Sequence, residues 1–339
     1  MILVTGGTGL VGSHLLLDLV KAGRKVRAIY RDPNSFGAVK KVFGYTHSQE
    51  EALLLFGKIE WLKADVNDVP KLEKAFANIE VVYHCAAMIS FDSSRDTDLR
   101  KINIEGTANI INFCISKRVK KLCHVSSIAT FDLKPGEKTI SENSHWNKEL
   151  NHSMYAITKY GAEMEAWRAS QEGIDVVIVN PGVIIGPGFW NSGTGKIFKK
   201  VNSGLNYFFP KTTGFIGVWD VVRLMQTITE SPVKNEQFIL VSENLSFEEI
   251  FKVVANDLEK PAPSKRLKKW MIFSGWLWQE IAGVVSKREK KLDRRSQKSL
   301  FAHTFYSAEK AKQELNISFE PMREVIKRTA EAFKRDHKN

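Results

Sequence analysis

Residues 1–12 of the chain read MILVTGGTGLVG. The first five residues form a largely apolar run with three β-branched members, which suits a buried strand. The glycines that follow fit both G-x-G-x-x-G and T-G-x-x-G-x-x-G, and an apolar helical pattern then runs from Leu15 to Val20. A tight turn here brings backbone close to a pyrophosphate at a helix N-terminus, where N–H groups and the helix dipole favour anions. The stretch therefore predicts a dinucleotide-binding turn with contacts from Thr5, Gly6, Gly7, Thr8, Gly9, Leu10, Val11 and Gly12.

Strand and helix patterns alternate through the first half of the chain, which predicts an α/β fold with a doubly wound parallel sheet. Helices are expected at about 96–117 and at 153–172, and Ser48 begins a capping box with Glu51. Further strands are expected at 25–30, 59–63, 80–85, 121–126, 175–180 and 238–242.

The length of 339 residues exceeds the size at which a single core usually keeps growing. We therefore expect a large dinucleotide-binding domain of residues 1–182 plus about 218–244. A smaller, interleaved C-terminal substrate lobe would combine residues 183–217 and 245–339.

The composition bounds the partners and the compartment. The net charge of +12 is concentrated in residues 260–339, where 20 basic residues face 9 acidic ones, and we interpret this as a solvated surface rather than a nucleic-acid site. The three cysteines form no C-x-x-C pair, which favours free thiols in a reducing compartment. No signal peptide, membrane span or metal site is predicted, so a cytoplasmic location is expected.

The end of the second strand indicates which dinucleotide is bound. An NAD site usually places an acid about 20 residues beyond the glycines, whereas an arginine accommodates a 2′-phosphate. Here Tyr30 is followed by Arg31, and the Asp32-Pro33 pair is typical of a turn. We predict NADP(H) in preference to NAD(H), with phosphate contacts from Arg31 and Asn34.

Later strand ends supply further cofactor contacts. Asp65, with Val66, follows the third strand and is placed to hydrogen-bond the adenine amino group. Cys85, Ala86 and Ala87 follow the fourth strand and offer small side chains beside a flat cofactor. His84 lies on the same apolar strand, and we interpret it as a core histidine rather than a catalytic base.

The pattern Tyr155-Ala-Ile-Thr-Lys159 carries the predicted chemistry. Residues four apart share one helix face, so the phenol and the ammonium point the same way. A nearby ammonium and a charged nicotinamide favour the phenolate, so Tyr155 can exchange a proton near neutral pH. Ser127 follows the fifth strand at the carboxyl edge of the sheet, where its hydroxyl can orient a substrate carbonyl.

Taken together, these residues resemble the extended short-chain dehydrogenase/reductases, or NAD-dependent epimerase/dehydratase family. The resemblance rests on residues 5–12, Asp65, residues 84–87, Asn103-x-x-Gly106-Thr107, Ser126-Ser127, residues 155–159 and residues 180–188. Arg31-Asp32-Pro33 and residues 180–188 (NPGVIIGPG) are most similar to the dihydroflavonol-4-reductase branch.

The resemblance implies a Rossmann-type sheet and transfer of hydride from the nicotinamide to a carbonyl. It implies Tyr155 as proton donor, Lys159 on the nicotinamide ribose, Ser127 on the carbonyl and Asn103 as a support near them. Cofactor contacts from Pro181, Gly182 and Val183 follow from the same likeness, as does a possible homodimer through helices 96–117 and 153–172.

The substrate side is defined by apolar residues beyond the strand ends. Met88, Phe131 and Phe189, together with Ser127, are the predicted substrate contacts, and they indicate a hydrophobic small molecule. Packing of several such aromatic residues in the lobe core is an equal alternative. The leading hypothesis is an NADPH-dependent carbonyl reductase or alcohol dehydrogenase; the alternatives are a nucleotide-sugar epimerase or dehydratase and a non-catalytic dinucleotide-binding protein.

Residues 265–298 contain an apolar run with three tryptophans between basic flanks. Its 16 residues would reach roughly 24 Å as a helix, which is short of a bilayer core of about 30 Å. Packing in the lobe is the favoured interpretation, ahead of a lid over the substrate cleft, and membrane-surface contact is the least favoured.

Overall fold

The computed structural model describes residues 1–90, 92–268, 271 and 300–337. The strands are β1 Ile2–Thr5, β2 Val26–Tyr30, β3 Glu60–Lys63, β4 Val81–His84, β5 Lys121–Val125, β6 Thr139–Ile140, β7 Asp175–Pro181, β8 Val183–Ile185, β9 Tyr207–Phe208, β10 Thr212–Gly217, β11 Glu236–Leu240, β12 Glu243–Ser246, β13 Lys265–Arg266 and β14 Phe305–Tyr306. The helices are α1 Leu10–Lys21, α2 Phe36–Gly44, α3 Gln49–Gly57, α4 Val69–Ala75, α5 Asp96–Arg100, α6 Gly106–Ser116, α7 Met154–Gln171, α8 Gly195–Asn202, α9 Val218–Glu230, α10 Phe247–Asp257, α11 Glu309–Leu315 and α12 Met322–Asp336.

Seven parallel strands form the central sheet in the order β3-β2-β1-β4-β5-β7-β11. The strand β1 pairs with β2 on one side and β4 on the other, so the winding reverses at β1. In open α/β sheets, ligands bind at the carboxyl ends of the strands beside such a reversal. The predicted doubly wound sheet is therefore confirmed, and its topology directs attention to the ends of β1 and β4.

Two elements differ from the sequence prediction by more than one residue at an end. The predicted helix 96–117 is interrupted by a π-helical turn at Lys101–Glu105, because Asn103 turns its side chain to the backbone of Met88. The last strand of the sheet is Glu236–Leu240 rather than 238–242, because the polar residues at its start still pair with β7. The predicted capping box at Ser48 and Glu51 is present.

A second hydrophobic cluster lies beyond the sheet and is built from the second half of the chain. The strands β12, β10 and β8 form a three-stranded sheet, and β8 and β10 contribute Ile185 and Phe215 to this cluster. The helices α8, α10 and α12 pack their buried apolar residues on it. The division of the chain into domains at residues 182 and 217 stays a prediction.

Asp336, near the end of α12, joins two distant parts of the chain. Its Oδ2 accepts hydrogen bonds from the Tyr45 hydroxyl at 2.7 Å and from the Trp190 indole N–H at 2.8 Å. Lys41 lies 3.6 Å from the same oxygen. The C-terminal helix is thereby attached both to the helix that follows β2 and to the second cluster.

Most of the tryptophan-rich stretch 265–298 lies outside the described residues, and the prediction made for it stays untested. Among the helices that are described, none is both long and apolar enough to cross a membrane.

The packing of the glycine turn generates a stability prediction. A Cβ on Gly12 would lie 2.2 Å from the Gly6 carbonyl oxygen, whereas one on Gly9 would lie 3.4 Å from it. We expect Gly12→Ala to lower the free energy of unfolding by about 2 kcal/mol or more, because backbone must move to admit the methyl group. Gly9→Ala is the matched control and should cost under about 1 kcal/mol, since alanine is only a poorer N-cap. Urea denaturation measures both, and equal losses would contradict this account.

Candidate active site

The glycine turn joins β1 to α1, and the backbone that follows β4 approaches it closely. Gly6 adopts a φ of +69°, and a Cβ there would lie 2.6 Å from the backbone nitrogen of Ala86. The Gly9 N–H donates to the Gly6 carbonyl at 3.0 Å, and Gly9 caps α1 without a side chain. The first-turn N–H groups at residues 10–12 have no partner within a helix. The turn thus leaves backbone donors over Gly9 that are suited to a pyrophosphate.

Just after β2, the side chains of Asp32 and Arg31 have different partners. The Asp32 carboxylate accepts the backbone N–H of Asn34 at 2.9 Å and so caps the short turn Pro33–Ser35. The Arg31 side chain is 67% exposed, and its Nη1 lies 3.7 Å from Oδ2 of Asp65. The structure therefore brings Arg31 and Asp65 together, which strand spacing alone did not indicate.

A hollow opens beside Asp65 at the same edge of the sheet. It is lined by residues from the loop after β3 and from the helical segment around the π turn, namely Asp65, Asn67, Asp68, Val69, Pro70, Asp98, Lys101 and Ile102. Val66 is buried and contacts Gly106, where a Cβ would lie 2.5 Å from the valine side chain. Asp65 therefore borders an open hollow, and its adenine contact stays a prediction.

Behind the glycine turn lies an aromatic cluster that the sequence analysis missed. Tyr30, Phe36, Phe56 and Trp61 pack with ring centroids 4.7–6.2 Å apart. A Cβ on Gly7 would lie 3.6 Å from the Trp61 ring. The signal was available as aromatic residues on β2, on β3 and on the two helices between them, but their joint packing depends on the pairing of β2 with β3.

The segment after β4 is attached to the end of β1. The Cys85 N–H donates to the Thr5 carbonyl at 3.2 Å, and the Ala86 N–H donates to the Thr5 hydroxyl at 3.3 Å. Cys85 and Ala86 are half-buried, and Ala87 is exposed. Small side chains therefore lie next to the glycine turn, and that of Ala87 is exposed.

The predicted catalytic residues meet at the carboxyl edge of the sheet. Ser153 caps α7, which places Tyr155 in the first turn and Lys159 one turn later. The Lys159 ammonium is buried and donates to the Val125 carbonyl at 2.7 Å. Burial lowers the pKa of Lys159 to about 8, against the opposing effect of the Glu163 carboxylate. Burial raises the pKa of Tyr155, and a hydrogen bond with the Ser127 side chain opposes that shift.

Asn103 connects this site to the loop after β4. Its side-chain oxygen accepts the Met88 N–H at 2.7 Å, while its amide donates to the Met88 carbonyl at 3.0 Å. The same amide lies 3.0 Å from the Thr158 hydroxyl, which donates to the Tyr155 carbonyl at 3.0 Å. Asn103, which lies within the π turn, therefore supports the backbone of Tyr155.

Two buried histidines lie beneath the site on adjacent strands. His84 contacts the hydroxyls of Thr5 at 2.6 Å and of Thr107 at 2.9 Å, as expected for a core histidine. Burial, with the Lys159 charge as a smaller cause, lowers the pKa of His84 to about 3. His124 is also buried, and neither of its ring nitrogens has a hydrogen-bond partner within the described part of the chain.

Glu163 is a buried polar residue that the sequence analysis also missed. It lies four residues after Lys159 and is only 4% exposed. Its carboxylate contacts side chains from β7 and from the turn that carries Ser127. The signal was the continuation of the Y-x-x-x-K face by an acid one turn further on.

The predicted substrate residues have different surroundings. The backbone of Met88 is held by Asn103. Phe131 is buried in a cluster with Ile128, Ile140, Ile239, Val241 and Ala308. Phe189 is half-buried and packs against the core on the α1 side of the sheet, and Trp190 lies in the second cluster.

The segment after β7 makes a close backbone contact with the second sheet. A Cβ on Gly182 would lie 2.5 Å from the Gly214 carbonyl oxygen. Pro181 ends β7 in the central sheet, and Val183 begins β8 in the smaller one. Residues 181–183 therefore pass directly from one sheet to the other at the carboxyl edge.

Comparison with known families and proteins gives a consistent result. The model of the NAD dependent epimerase/dehydratase family matches residues 2–239. A putative dihydroflavonol 4-reductase of Synechocystis sp. is 26% identical over 95% of this chain and 91% of its own length. Tetraketide alpha-pyrone reductase 2 of Arabidopsis thaliana is 27% identical over 75% of this chain and 81% of its own length.

Solved structures share the architecture. The protein gox2253 covers 99% of this chain and 98% of its own, with a TM-score of 0.81 and 24% identity. A UDP-glucose 4-epimerase of Thermotoga maritima covers 99% of both chains, with a TM-score of 0.76 and 19% identity. Likeness at these identities shows the fold alone.

The hydrogen bonds of Asn103 generate a second stability prediction. Asn103→Ala leaves the Met88 N–H without an acceptor inside the protein, and we expect the free energy of unfolding to fall by about 1–3 kcal/mol. Asn112→Ala on α6 removes an exposed amide that accepts from Arg168, and should change stability by under about 0.5 kcal/mol. Urea or thermal unfolding distinguishes the two variants, and equal stability would show that Asn103 does not support the turn.

Proposed function

Because this chain belongs to the NAD-dependent epimerase/dehydratase family and is an NAD(P)-dependent enzyme of the extended short-chain dehydrogenase/reductase type, we propose that it reduces a carbonyl to an alcohol, or performs the reverse reaction, on a hydrophobic small molecule. The observation that carries the proposal is the grouping of Ser127, Tyr155 and Lys159 beside the glycine turn.

Each of these side chains has a chemical role that follows from its surroundings. The Tyr155 phenol donates its proton to the carbonyl oxygen as the alcohol forms, and the Ser127 hydroxyl orients that oxygen. The Lys159 ammonium stabilises the resulting phenolate through its charge and binds ribose hydroxyls. The bound dinucleotide supplies or accepts the hydride.

The chain's residues fit a nicotinamide dinucleotide, which the family binds. The backbone donors over Gly9 suit the pyrophosphate, and Asp65 with Val66 would lie at the adenine end. Cys85, Ala86 and Ala87, together with residues 181–183, would pass along the nicotinamide half. Asn103 acts on this arrangement through the Met88 and Tyr155 backbones.

We assign NADP(H) as the preferred cofactor. The support is the exposed guanidinium of Arg31 just after β2. Asp32 is the nearest acidic residue, and its carboxylate is engaged in capping the local turn. Arginine pairs with phosphate through several donors at once, which makes it well suited to a 2′-phosphate. Asn34 is exposed in the same turn and completes the proposed contact.

We assign the substrate to a hydrophobic class. Met88 and Phe189 are half-buried, so part of each apolar side chain is accessible. Phe131 is packed in its own buried cluster, so it would border the substrate site from the protein interior. The relatives named as dihydroflavonol 4-reductase and tetraketide alpha-pyrone reductase are reductases by their names, which agrees with the proposed reaction.

The cofactor assignment is tested at Arg31. NADPH should bind more tightly than NADH, and Arg31→Ala should narrow the difference by about 1–3 kcal/mol, the usual effect of a lost charged hydrogen bond. Arg24→Ala is the control, because Arg24 pairs with Glu230 at the opposite edge of the sheet. Fluorescence titration measures each affinity, and equal affinities in the unmodified protein would refute the assignment.

The chemistry is tested at Tyr155. Tyr155→Phe keeps the ring but removes the proton, so turnover should fall by at least about 10²-fold while cofactor binding is retained. Tyr160→Phe is the matched control on the same helix, because Tyr160 stacks on Trp146. A screen of carbonyl compounds with NADPH, followed by product analysis, supplies the substrate. Interconversion of nucleotide sugars with retained NAD would instead identify an epimerase.

A further inference from the structure

One carboxylate oxygen beneath the site receives three side-chain hydrogen bonds. Oε2 of Glu163 accepts from the Ser126 hydroxyl at 2.5 Å, from the Asn180 amide at 2.8 Å and from the Thr130 hydroxyl at 3.0 Å. These donors lie on β7 and on both sides of Ser127. Glu163 itself lies on α7, the helix that carries Tyr155 and Lys159.

The same donors also hold the backbone of Ser127. Its carbonyl accepts from the Asn180 amide at 3.3 Å and lies 2.9 Å from the Thr130 hydroxyl, whose single proton it shares with the Glu163 carboxylate. The turn Ile128–Thr130 that follows Ser127 is therefore connected to α7 through the Glu163 carboxylate. Any movement of this carboxylate would shift Ser127 relative to Tyr155.

Glu163 also lies one helical turn after Lys159, and its carboxylate favours the charged form of the buried ammonium. The other titratable groups that interact with Lys159 are His84, His124 and Cys85. Burial lowers the pKa of both histidines and raises the pKa of the Cys85 thiol, so all three are neutral near pH 7. Tyr155 on the same helix is neutral there as well, because burial raises its pKa.

We propose that Glu163 is a positioning residue of this site: its carboxylate fixes Ser127 relative to Tyr155 and keeps Lys159 in its charged form. The inference rests on the proposed reductase function for its kinetic consequence, but not for its electrostatic one. Three donors on one oxygen and a nearby ammonium favour the ionised carboxylate, and they oppose the burial that raises the pKa of Glu163.

The electrostatic part is tested without cofactor or substrate. Lysine side-chain ¹³C and ¹⁵N NMR signals of the full chain are followed against pH, and the Lys159 signal is identified by its loss in Lys159→Met. In Glu163→Gln the Lys159 midpoint should move down by at least about half a pH unit, because an anion that favours the ammonium has been removed. Glu165→Gln on the same helix, whose partner is Arg168, should leave the midpoint in place. An unchanged midpoint in Glu163→Gln would overturn the proposal.

The positioning part is tested with a carbonyl compound that the unmodified enzyme reduces. Ser126→Ala removes a donor but keeps the charge, so kcat should fall at least about tenfold through misplacement of Ser127. The Lys159 midpoint and the NADPH affinity should stay within error of the unmodified protein. Unchanged kcat would overturn this part.

A further variant covers the case in which Glu163→Gln does not fold. Glu163→Asp keeps the charge and shortens the side chain, so kcat should fall while the Lys159 midpoint stays near that of the unmodified protein. A Lys159 midpoint in Glu163→Asp as low as that expected for loss of the Glu163 charge would overturn the proposal. If the unmodified chain reduces no carbonyl compound with NADPH, the proposed function fails, whereas the Lys159 titration still decides the role of the Glu163 charge.

Discussion

Burial of the Lys159 ammonium at the edge of the sheet is the constraint on which the site depends. Removing a charge from water is costly unless partners compensate for it. Here the Val125 carbonyl accepts from the ammonium, and Glu163 lies one turn further along the helix. The face of α7 that packs against the sheet therefore cannot be uniformly apolar near Lys159.

The face of the sheet that packs on α6 and α7 reflects this constraint. Toward the amino ends of the strands, Val82, Leu122 and Val176 belong to an apolar cluster. Toward the carboxyl ends, the same strands continue into His84, His124, Ser126 and Asn180, all buried. The apolar part supplies packing energy, and the polar part satisfies the groups that carry the chemistry.

The sequence was sufficient for elements whose signal is local. The glycine turn and the Tyr155–Lys159 pair could be predicted because a strand, a turn and a helix face are each defined within a few residues. The role of Glu163 could not, because its partners Ser126 and Asn180 are brought to it only by the pairing of β5 with β7. The Arg31–Asp65 contact likewise requires β2 beside β3. Aromatic residues such as Phe131 were ambiguous because a core and a pocket attract the same residue types, and Phe131 lies in a buried cluster.

The contacts of Asp336 have a consequence for the order in which the chain folds. Its hydrogen bonds to Tyr45 and Trp190 close sequence separations of 291 and 146 residues. Contacts between residues so far apart form slowly, because a long loop must be ordered before the contact stabilises it. The glycine turn and its helix, by contrast, need only neighbouring residues. We therefore expect the attachment of α12 to form late in folding, and substitutions at Asp336 to act mainly on the rate of unfolding rather than on the rate at which the sheet assembles.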